Sequence, residues 1–385
     1  MFVDQPALAI ASAGFFVFYG KSLLSGLPTP GEREGKTVMS GTLENLLSER
    51  DWLLADGATG TNYFAMGLQS GDAPELWNIT HPDKVAHLHR EFIEAGADII
   101  LTNSFGGSSY RLKLHQAQDR VTELNCAAAQ IARQAADSAS RTVLVAGSIG
   151  PTGEIFQPVG ELDPEDAQVA FTEQACALAD GGADMIWLET MSSKEELQAA
   201  GAGAAQSGLP VVATMTFDTN GSTMMGVGPS ELVDVYRESV PRLAAFGANC
   251  GVGAPDLVGT ILAMSRHLAK DDVLVAKANC GIPQFVDGEI RYSGTQELMA
   301  QYAQLARDTG ARIIGGCCGT TPQHLAAMRQ ALENYQPRPA PDIDRVAELL
   351  GPVTAGARAA CSPELSSADA TPRRARGNRR RRGIS

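Results

Sequence analysis

Three of the seven cysteines lie in two glycine-containing motifs with the residue types of a metal site. Cys250 occurs in GANCGVG (247–253), and the adjacent pair Cys317 and Cys318 occurs in GGCCGT (315–320). Two consecutive cysteines reach one ion only where the backbone turns tightly, which the flanking glycines permit. Three thiolates suit Zn²⁺, which in catalytic sites keeps a fourth position open. The two motifs therefore predict a zinc site that can accept an incoming ligand.

A substrate thiol is chemically suited to that open position. Zinc deprotonates a coordinated thiol at neutral pH. Because three thiolates already make the zinc site net negative, the fourth sulfur is expected to remain a good nucleophile. The other cysteines have different expected roles. Cys126 and Cys176 lie in helical patterns and are predicted to be inert. Cys280 is predicted to lie beside the site without binding, because a fourth protein thiolate would close it.

The elements that must bring the cysteines together alternate along the chain from residue 52. Eight short apolar runs predict strands at 52–56, 98–104, 142–148, 185–190, 211–217, 244–250, 274–279 and 312–317. Helical patterns follow them at 83–95, 118–138, 164–180, 194–206, 229–242, 256–268, 295–308 and 322–335. This order predicts an α/β fold, a single-domain (β/α)8 TIM barrel with its active site at the C-terminal ends of the strands. The sixth and eighth strands are separated by one strand, which brings Cys250 towards Cys317 and Cys318.

Further polar residues are expected at the same ends of the predicted strands. They are Asp56 and Gly57 in the first, Thr102 and Asn103 in the second, Glu189 in the fourth and Asn249 in the sixth. Two carboxylates at strand ends suit a cationic amine. Asp56 also fits a turn before glycine, and Glu189 also fits an anion at a helix start. Thr102 and Asn103 fit capping or hydrogen bonding at the barrel mouth equally well.

Composition limits the partners and the compartment. The net charge is −13 although arginines are concentrated at 373–382, so the body of the protein is acidic, which argues against nucleic acid as the main partner. Seven cysteines, an odd number that includes an adjacent pair, predict a reducing compartment, the cytoplasm. The apolar run at 7–19 is too short to cross a membrane as a helix and has no basic residue before it, so no membrane association is expected.

The sequence divides into three predicted parts. Residues 1–38 are predicted to be an N-terminal extension. This extension is expected to be disordered, or to precede a true start at Met39, and these interpretations are favoured over a targeting segment. Residues 39–337 form the barrel. Residues 338–385 are predicted to be a mostly disordered tail with an arginine-rich end. Alternatively, the arginines at this end could bind anionic surfaces. The sequence leaves oligomerisation open.

Over about residues 50–335 the chain resembles the homocysteine S-methyltransferase family. The resemblance rests on the two cysteine motifs together with LLADGATGT (53–61), HPDKVAHLHREFIEAGADIILTNSF (81–105), VAGSIGPTGE (145–154) and MIWLET (185–190). It implies that Cys250, Cys317 and Cys318 bind Zn²⁺. It further implies that Asp56 and Glu189 hold the homocysteine ammonium, while backbone around Gly57 helps to hold the carboxylate. The pattern is most similar to bacterial betaine–homocysteine methyltransferase-like proteins and to the homocysteine module of cobalamin-dependent methionine synthase.

The resemblance predicts methyl transfer from a small onium donor to homocysteine, giving methionine. Glycine betaine is favoured because a trimethylammonium group binds to aromatic walls, and Trp77 matches a tryptophan that betaine-using relatives place near the donor. Animal betaine enzymes have tyrosines where this chain has Gly106-Gly107 and Thr190. Dimethylsulfoniopropionate, S-methylmethionine or a corrinoid partner protein are therefore alternative donors. A zinc- or thiol-binding sensor or store is the non-enzyme alternative, and it would not need Asp56 and Glu189.

Overall fold

Eight parallel strands form one sheet that closes on itself in the computed structural model, which describes residues 42–239, 242–286 and 289–362. The described ranges contain ten strands, and all of them belong to this sheet except β8 and β9, which form a separate antiparallel pair. They are β1 Leu53–Leu54, β2 Ile99–Leu101, β3 Leu144–Ile149, β4 Met185–Met191, β5 Val211–Met215, β6 Ala245–Cys250, β7 Leu274–Ala278, β8 Pro283–Val286, β9 Glu289–Tyr292 and β10 Ile313–Gly316. Their order in the sheet is β1-β10-β7-β6-β5-β4-β3-β2. A parallel bridge between Ala55 and Ile99 joins the two edges. The predicted (β/α)8 barrel is therefore confirmed.

Most of the helices lie between these strands, but α1 precedes β1 and the last three follow β10. They are α1 Leu43–Glu49, α2 Gly60–Ala65, α3 Trp77–Thr80, α4 Pro82–Glu94, α5 Ser109–Leu112, α6 Val121–Asp137, α7 Pro164–Asp180, α8 Lys194–Ala205, α9 Pro229–Glu238, α10 Ala254–Ser265, α11 Gln296–Asp308, α12 Pro322–Leu332, α13 Ile343–Leu350 and α14 Ala355–Ala360. Short 3₁₀ turns lie at Pro74–Leu76, Lys113–His115 and Gln118–Arg120. In the described ranges, no helix is long and apolar enough to cross a membrane.

Alternate residues of the strands fill the inside of the barrel, because successive side chains of a strand point to opposite faces. Trp187 of β4 and Val275 of β7 belong to this interior cluster, whereas their neighbours Ile186 and Ala276 pack between the sheet and the helices. Leucines of α1 join the interior cluster and cover the N-terminal end of the barrel. Both faces of the sheet are thus buried, as the continuous apolar runs indicated.

A buried carboxylate joins several elements at the N-terminal end of the barrel. Asp98, immediately before β2, is fully buried and accepts a hydrogen bond of 2.9 Å from Leu54 N. Guanidinium nitrogens of Arg50, Arg141 and Arg329 lie 2.7, 3.3 and 3.2 Å from its carboxylate oxygens. One anion therefore connects the chain before β1, the chain before β3 and helix α12 at the end of the barrel opposite the strand C-termini.

The structure differs from the sequence prediction in two places. Two helices, α13 and α14, lie in the segment that was expected to be mostly disordered, and Val346, Leu350 and Ala357 are buried against the barrel. Asp342 caps α13 by accepting a hydrogen bond of 2.7 Å from Arg345 N. The hairpin formed by β8 and β9 was also not predicted. The predicted extension at 1–38 and the arginine-rich end at 373–382 lie outside the described residues.

His89 of α4 is a buried titratable group without a hydrogen-bond partner among the described residues. Burial, with a smaller contribution from Arg90, lowers the pKa of His89 from 6.5 to about 4. Because the unfolded chain takes up this proton near pH 6.5, stability present above that pH is lost as the pH falls towards 4. Between pH 7 and pH 5 this histidine should reduce the free energy of unfolding by about 2 kcal/mol.

His89→Leu should remove this part of the pH dependence, which urea unfolding at the two pH values measures. His87→Gln is the matched control, because His87 lies on the same helix with its side chain 56% exposed. A His89→Leu protein that loses as much stability as the wild type between pH 7 and pH 5 would contradict the assignment.

Candidate active site

The three cysteines singled out in the sequence converge at the C-terminal mouth of the barrel. Cys250 ends β6, and Cys317 and Cys318 follow β10, with β7 between the two strands. The three sulfur atoms lie within 4.8 Å of one another, and Cys250 Sγ is 3.9 Å from Cys318 Sγ. A tetrahedral zinc with Zn–S distances of about 2.3 Å has its sulfurs about 3.8 Å apart. The geometry therefore fits three ligands of one ion.

The backbone at the site is held in an uncommon conformation. Cys250 and Thr190 both have φ of 62°, in the left-handed region that costs a non-glycine residue about 1–3 kcal/mol. Asn249 connects them: its Oδ1 accepts from Thr190 N at 2.8 Å and its Nδ2 donates to Thr190 Oγ1 at 2.8 Å. The same Nδ2 lies 3.7 Å from Cys317 Sγ. Asn249, predicted as a pocket residue, thus joins β4, β6 and one of the cysteines.

The end of β7 holds both cysteine motifs in place. Asn279 Oδ1 accepts a hydrogen bond of 3.0 Å from Cys318 N, and its Nδ2 donates to Gly251 O at 2.8 Å. The neighbouring Cys280 donates its backbone N–H to Cys318 O at 2.9 Å, but its side chain is not part of the sulfur cluster. Burial raises the pKa of the Cys280 thiol to about 11, so it stays protonated at neutral pH. The role expected for Cys280 remains a prediction.

The three clustered thiols cannot readily ionise on their own. Hydrogen bonding to Cys317 lowers the pKa of Cys250, but the contact with Cys318 and burial outweigh it and raise this pKa to about 12. The contact with Cys250, together with burial, raises the pKa of Cys317 well above its ordinary value. A bound cation offsets the charge of neighbouring thiolates and allows them to ionise together. The donor set therefore fits a divalent metal.

A cavity of about 410 Å³ opens beside the cysteines. Several residues predicted from the sequence line it, namely Gly57, Thr102, Asn103, Glu189 and the three cysteines. Gly57 packs so closely against Thr320 that a Cβ would lie 2.7 Å from the Thr320 carbonyl oxygen, so a side chain there would clash. Asn103 Nδ2 donates to Pro74 O at 2.7 Å, and Thr102 Oγ1 accepts from Ser148 N at 2.9 Å. Asn103 thus holds the loop at Pro74, and Thr102 connects the end of β2 to β3.

The two predicted carboxylates occupy different positions. Glu189 lines the cavity and accepts a hydrogen bond from Ser148 Oγ. Burial raises the pKa of Glu189, while the charge of Lys277 and the Ser148 hydrogen bond oppose this. Asp56 is fully buried and does not line the cavity. Its Oδ2 accepts from Leu101 N at 2.7 Å, and Lys277 Nζ lies 3.0 Å from its Oδ1. Both oxygens of Asp56 therefore have partners within the protein.

Two residues near the cysteines were missed in the sequence. Lys277 is a buried cation in β7, and its signal was a lysine within the apolar run LVAKAN. Tyr292, the last residue of β9, lies against Gly319, next to Cys318 in the chain. It belongs to the unpredicted hairpin, so no signal in the sequence placed it there.

Trp77 does not line the cavity, in contrast to the predicted donor contact. It is buried in α3, where its ring lies 5.4 Å from that of Tyr63, and Lys84 Nζ lies 4.5 Å from its centre. The aromatic rings that line the cavity are Phe64 and Phe105. Phe105 follows the predicted second strand directly, a position that could have marked it as part of the mouth.

Comparison with known proteins identifies similar chains. A family model described as homocysteine S-methyltransferase matches residues 53–332. Methionine synthase from Mycobacterium tuberculosis is 32% identical over 318 residues, which are 78% of this chain and 26% of that protein. The oxidized form of the homocysteine methyltransferase MmuM from Escherichia coli is 25% identical, with a TM-score of 0.61 over 75% of this chain and 98% of that one. Its metallated form is 24% identical, with a TM-score of 0.62 and coverages of 75% and 99%. The chain spans about a quarter of the length of the curated relatives it matches.

Proposed function

The chain belongs to the homocysteine S-methyltransferase family, and we propose that it transfers a methyl group from a small onium donor to L-homocysteine, giving methionine. The observation that carries this proposal is the cluster of three cysteine sulfurs beside a cavity that Glu189 also lines. A zinc store or sensor needs the sulfurs, but it does not need a carboxylate such as Glu189 facing a cavity next to them.

In this proposal Cys250, Cys317 and Cys318 hold Zn²⁺. The bound ion supplies a Lewis acid that lowers the pKa of the substrate thiol. Glu189 binds the ammonium group of homocysteine, and the backbone at Gly57 binds its carboxylate. Asn249 and Asn279 keep the cysteines in position through the hydrogen bonds described above. Together these residues would hold homocysteine with its sulfur at the cysteines and facing the cavity that receives the methyl donor.

The methyl transfer is a displacement in which one bond forms as another breaks. The homocysteine sulfur gives an electron pair to the methyl carbon, and the donor nitrogen or sulfur leaves with the pair of the broken bond. An onium donor leaves as a neutral amine or thioether, so no acid is needed to protonate it. The protein's contribution is to hold the two reactants in line, which supplies much of the rate.

Glycine betaine is the donor that we favour. The rings of Phe64 and Phe105 line the cavity and offer the π faces to which a quaternary ammonium group is attracted. Arg111 and His115 also line the cavity and provide partners for the betaine carboxylate. In this proposal Phe64, Phe105, Arg111 and His115 bind the methyl donor, a role that the sequence had assigned to Trp77. Dimethylsulfoniopropionate and S-methylmethionine carry a sulfonium that fits the same walls.

A second candidate keeps the same thiol activation but takes the methyl group from a corrinoid partner protein. The curated relatives that the chain matches are named methionine synthase and are about three times as long as this chain. Exposed apolar side chains lie on loops that follow barrel strands, among them Leu114, Val159 and Met224. Such side chains at the mouth suit contact with another protein.

A panel of methyl-labelled donors tests the proposal. The zinc-loaded full chain is incubated with L-homocysteine and each labelled donor, and methionine is measured by mass spectrometry. We expect label in methionine with a small onium donor, and most with glycine betaine. Zinc-depleted protein is the control and should form none. Label from a methylated corrinoid protein alone would favour the second candidate, and no label from any donor would contradict methyl transfer.

A further inference from the structure

Lys277 is a buried cation inside the barrel, and the proposed reaction gives it no role. It pairs in register with Gly315 of β10 and Asn249 of β6, two residues beyond the interior residue Val275. Its side chain is 2% exposed, and Nζ lies 5.3 Å from the centre of the Trp187 ring. Because side chains alternate along a strand, Lys277 lies one layer above Val275, where it lines the cavity.

Lys277 contacts Asp56, one of the two carboxylates expected to bind the substrate ammonium. The distance from Nζ to Asp56 Oδ1 is 3.0 Å, and both side chains are buried. The second oxygen of Asp56 accepts the backbone N–H of Leu101. Both oxygens are thus engaged by the protein itself, and Asp56 does not line the cavity. Glu189 is the carboxylate that lines it.

The charges at this position fit one additional cation. When ionised, Asp56, Glu189 and Lys277 together carry a net charge of −1, which one substrate ammonium neutralises. Burial raises the pKa of both carboxyl groups, and the nearby Lys277 opposes that shift in each. Without the lysine, Asp56 and Glu189 would share a single ammonium, and an uncompensated charge on the buried Asp56 is strongly unfavourable.

We propose that Lys277 is a specificity-determining residue that occupies Asp56, so that Glu189 alone binds the ammonium of the substrate. The inference rests on the proposed function, because the ammonium is that of homocysteine. Asp56 then acts through Lys277 as a positioning residue and does not touch the substrate. The arrangement selects thiols that carry one cationic group, placed so that it reaches Glu189 when the sulfur is bound at the cysteines.

Two variants separate this role from direct contact by Asp56. Asp56→Asn leaves Lys277 with Glu189 as its nearest carboxylate, so the lysine competes with the substrate ammonium. Asp56→Asn combined with Lys277→Gln removes both charges and restores the net charge of −1. Calorimetric titration of zinc-loaded protein gives the affinities for homocysteine and for 4-mercaptobutanoate, which has the thiol and carboxylate but no amine. The ratio of the two affinities reports on the ammonium site alone.

We expect the ratio to fall about tenfold in Asp56→Asn and to return to within about threefold of the wild type in the double variant. Lys84→Gln, which removes a lysine lying over Trp77 away from the cavity, should leave the ratio unchanged. A double variant as weak as Asp56→Asn, or an Asp56→Asn protein with the wild-type ratio, would overturn the proposal.

If Asp56→Asn does not fold, the double variant compared with the wild type decides the same question. Recovery of the wild-type ratio supports the role of Lys277, and a tenfold loss overturns it. Failure of the proposed function has a different signature, because the wild type itself would then bind neither thiol to its zinc-loaded form.

Discussion

Serine in place of Cys317 should remove stoichiometric zinc and lower methionine formation by more than about 1,000-fold. Cys317 is half-buried at the site, with its sulfur next to those of Cys250 and Cys318 and 3.7 Å from Asn249 Nδ2. Changing only a residue that orients a metal ligand typically costs 10–100-fold in affinity or activity, so losing one of three ligands should cost more. A serine hydroxyl is a poor zinc ligand at neutral pH because it remains protonated.

The zinc content of purified, reduced protein and its rate of methionine formation measure this effect. Cys126→Ser is the matched control, since Cys126 lies on the outer helix α6 and only Gln130 donates to its sulfur among the described contacts. That variant should keep its zinc and its activity. A Cys317→Ser protein with full zinc and full turnover would show that the cluster is not the metal site.

Glutamine in place of Glu189 should lower kcat/KM for homocysteine about 100-fold, which corresponds to about 2.7 kcal/mol of lost binding in the transition state. Glutamine keeps the shape of the side chain, and its carbonyl oxygen can still accept from Ser148 Oγ, so the barrel should fold unchanged. The loss comes from the missing negative charge opposite the substrate ammonium, a charge-assisted contact in a half-buried site.

The comparison of homocysteine with 4-mercaptobutanoate identifies the cause. Glu189→Gln should reduce turnover of homocysteine strongly and of the amine-free thiol only slightly. Glu231→Gln serves as the control, because Glu231 is 54% exposed and pairs with Lys194 on the outer helices. Equal losses for both thiols would indicate that Glu189 shapes the site without binding the amine.

The barrel and the sulfur cluster were accessible from the sequence for a physical reason. Parallel strands buried on both faces give continuous apolar runs, and the fixed order of strands in a barrel brings the ends of the sixth and eighth strands near each other. The convergence of Cys250 with Cys317 and Cys318 follows from that order. Glu189 follows from alternation, because Trp187 two residues earlier points into the barrel.

Other features depend on packing that local patterns do not encode. Lys277 and Asp56 are 221 residues apart in the chain, and their contact arises only when the barrel closes. Trp77 looked like a wall of the donor site, but α3 turns its ring towards Tyr63 and Lys84. Helix α13 is a short amphipathic segment next to a polar tail, and it is held by the packing of Val346 and Leu350 in the core.

The carboxylate of Asp98 and its three arginines lie at the end of the barrel remote from the cysteines. This cluster of ion pairs, which joins several elements of the barrel, is thus separated from the loops around the proposed active site. Loops at the mouth can consequently change in length and composition with little effect on the free energy of unfolding. Proteins that descend from one ancestral barrel can in this way come to use methyl donors with different leaving groups while keeping the same sulfur chemistry.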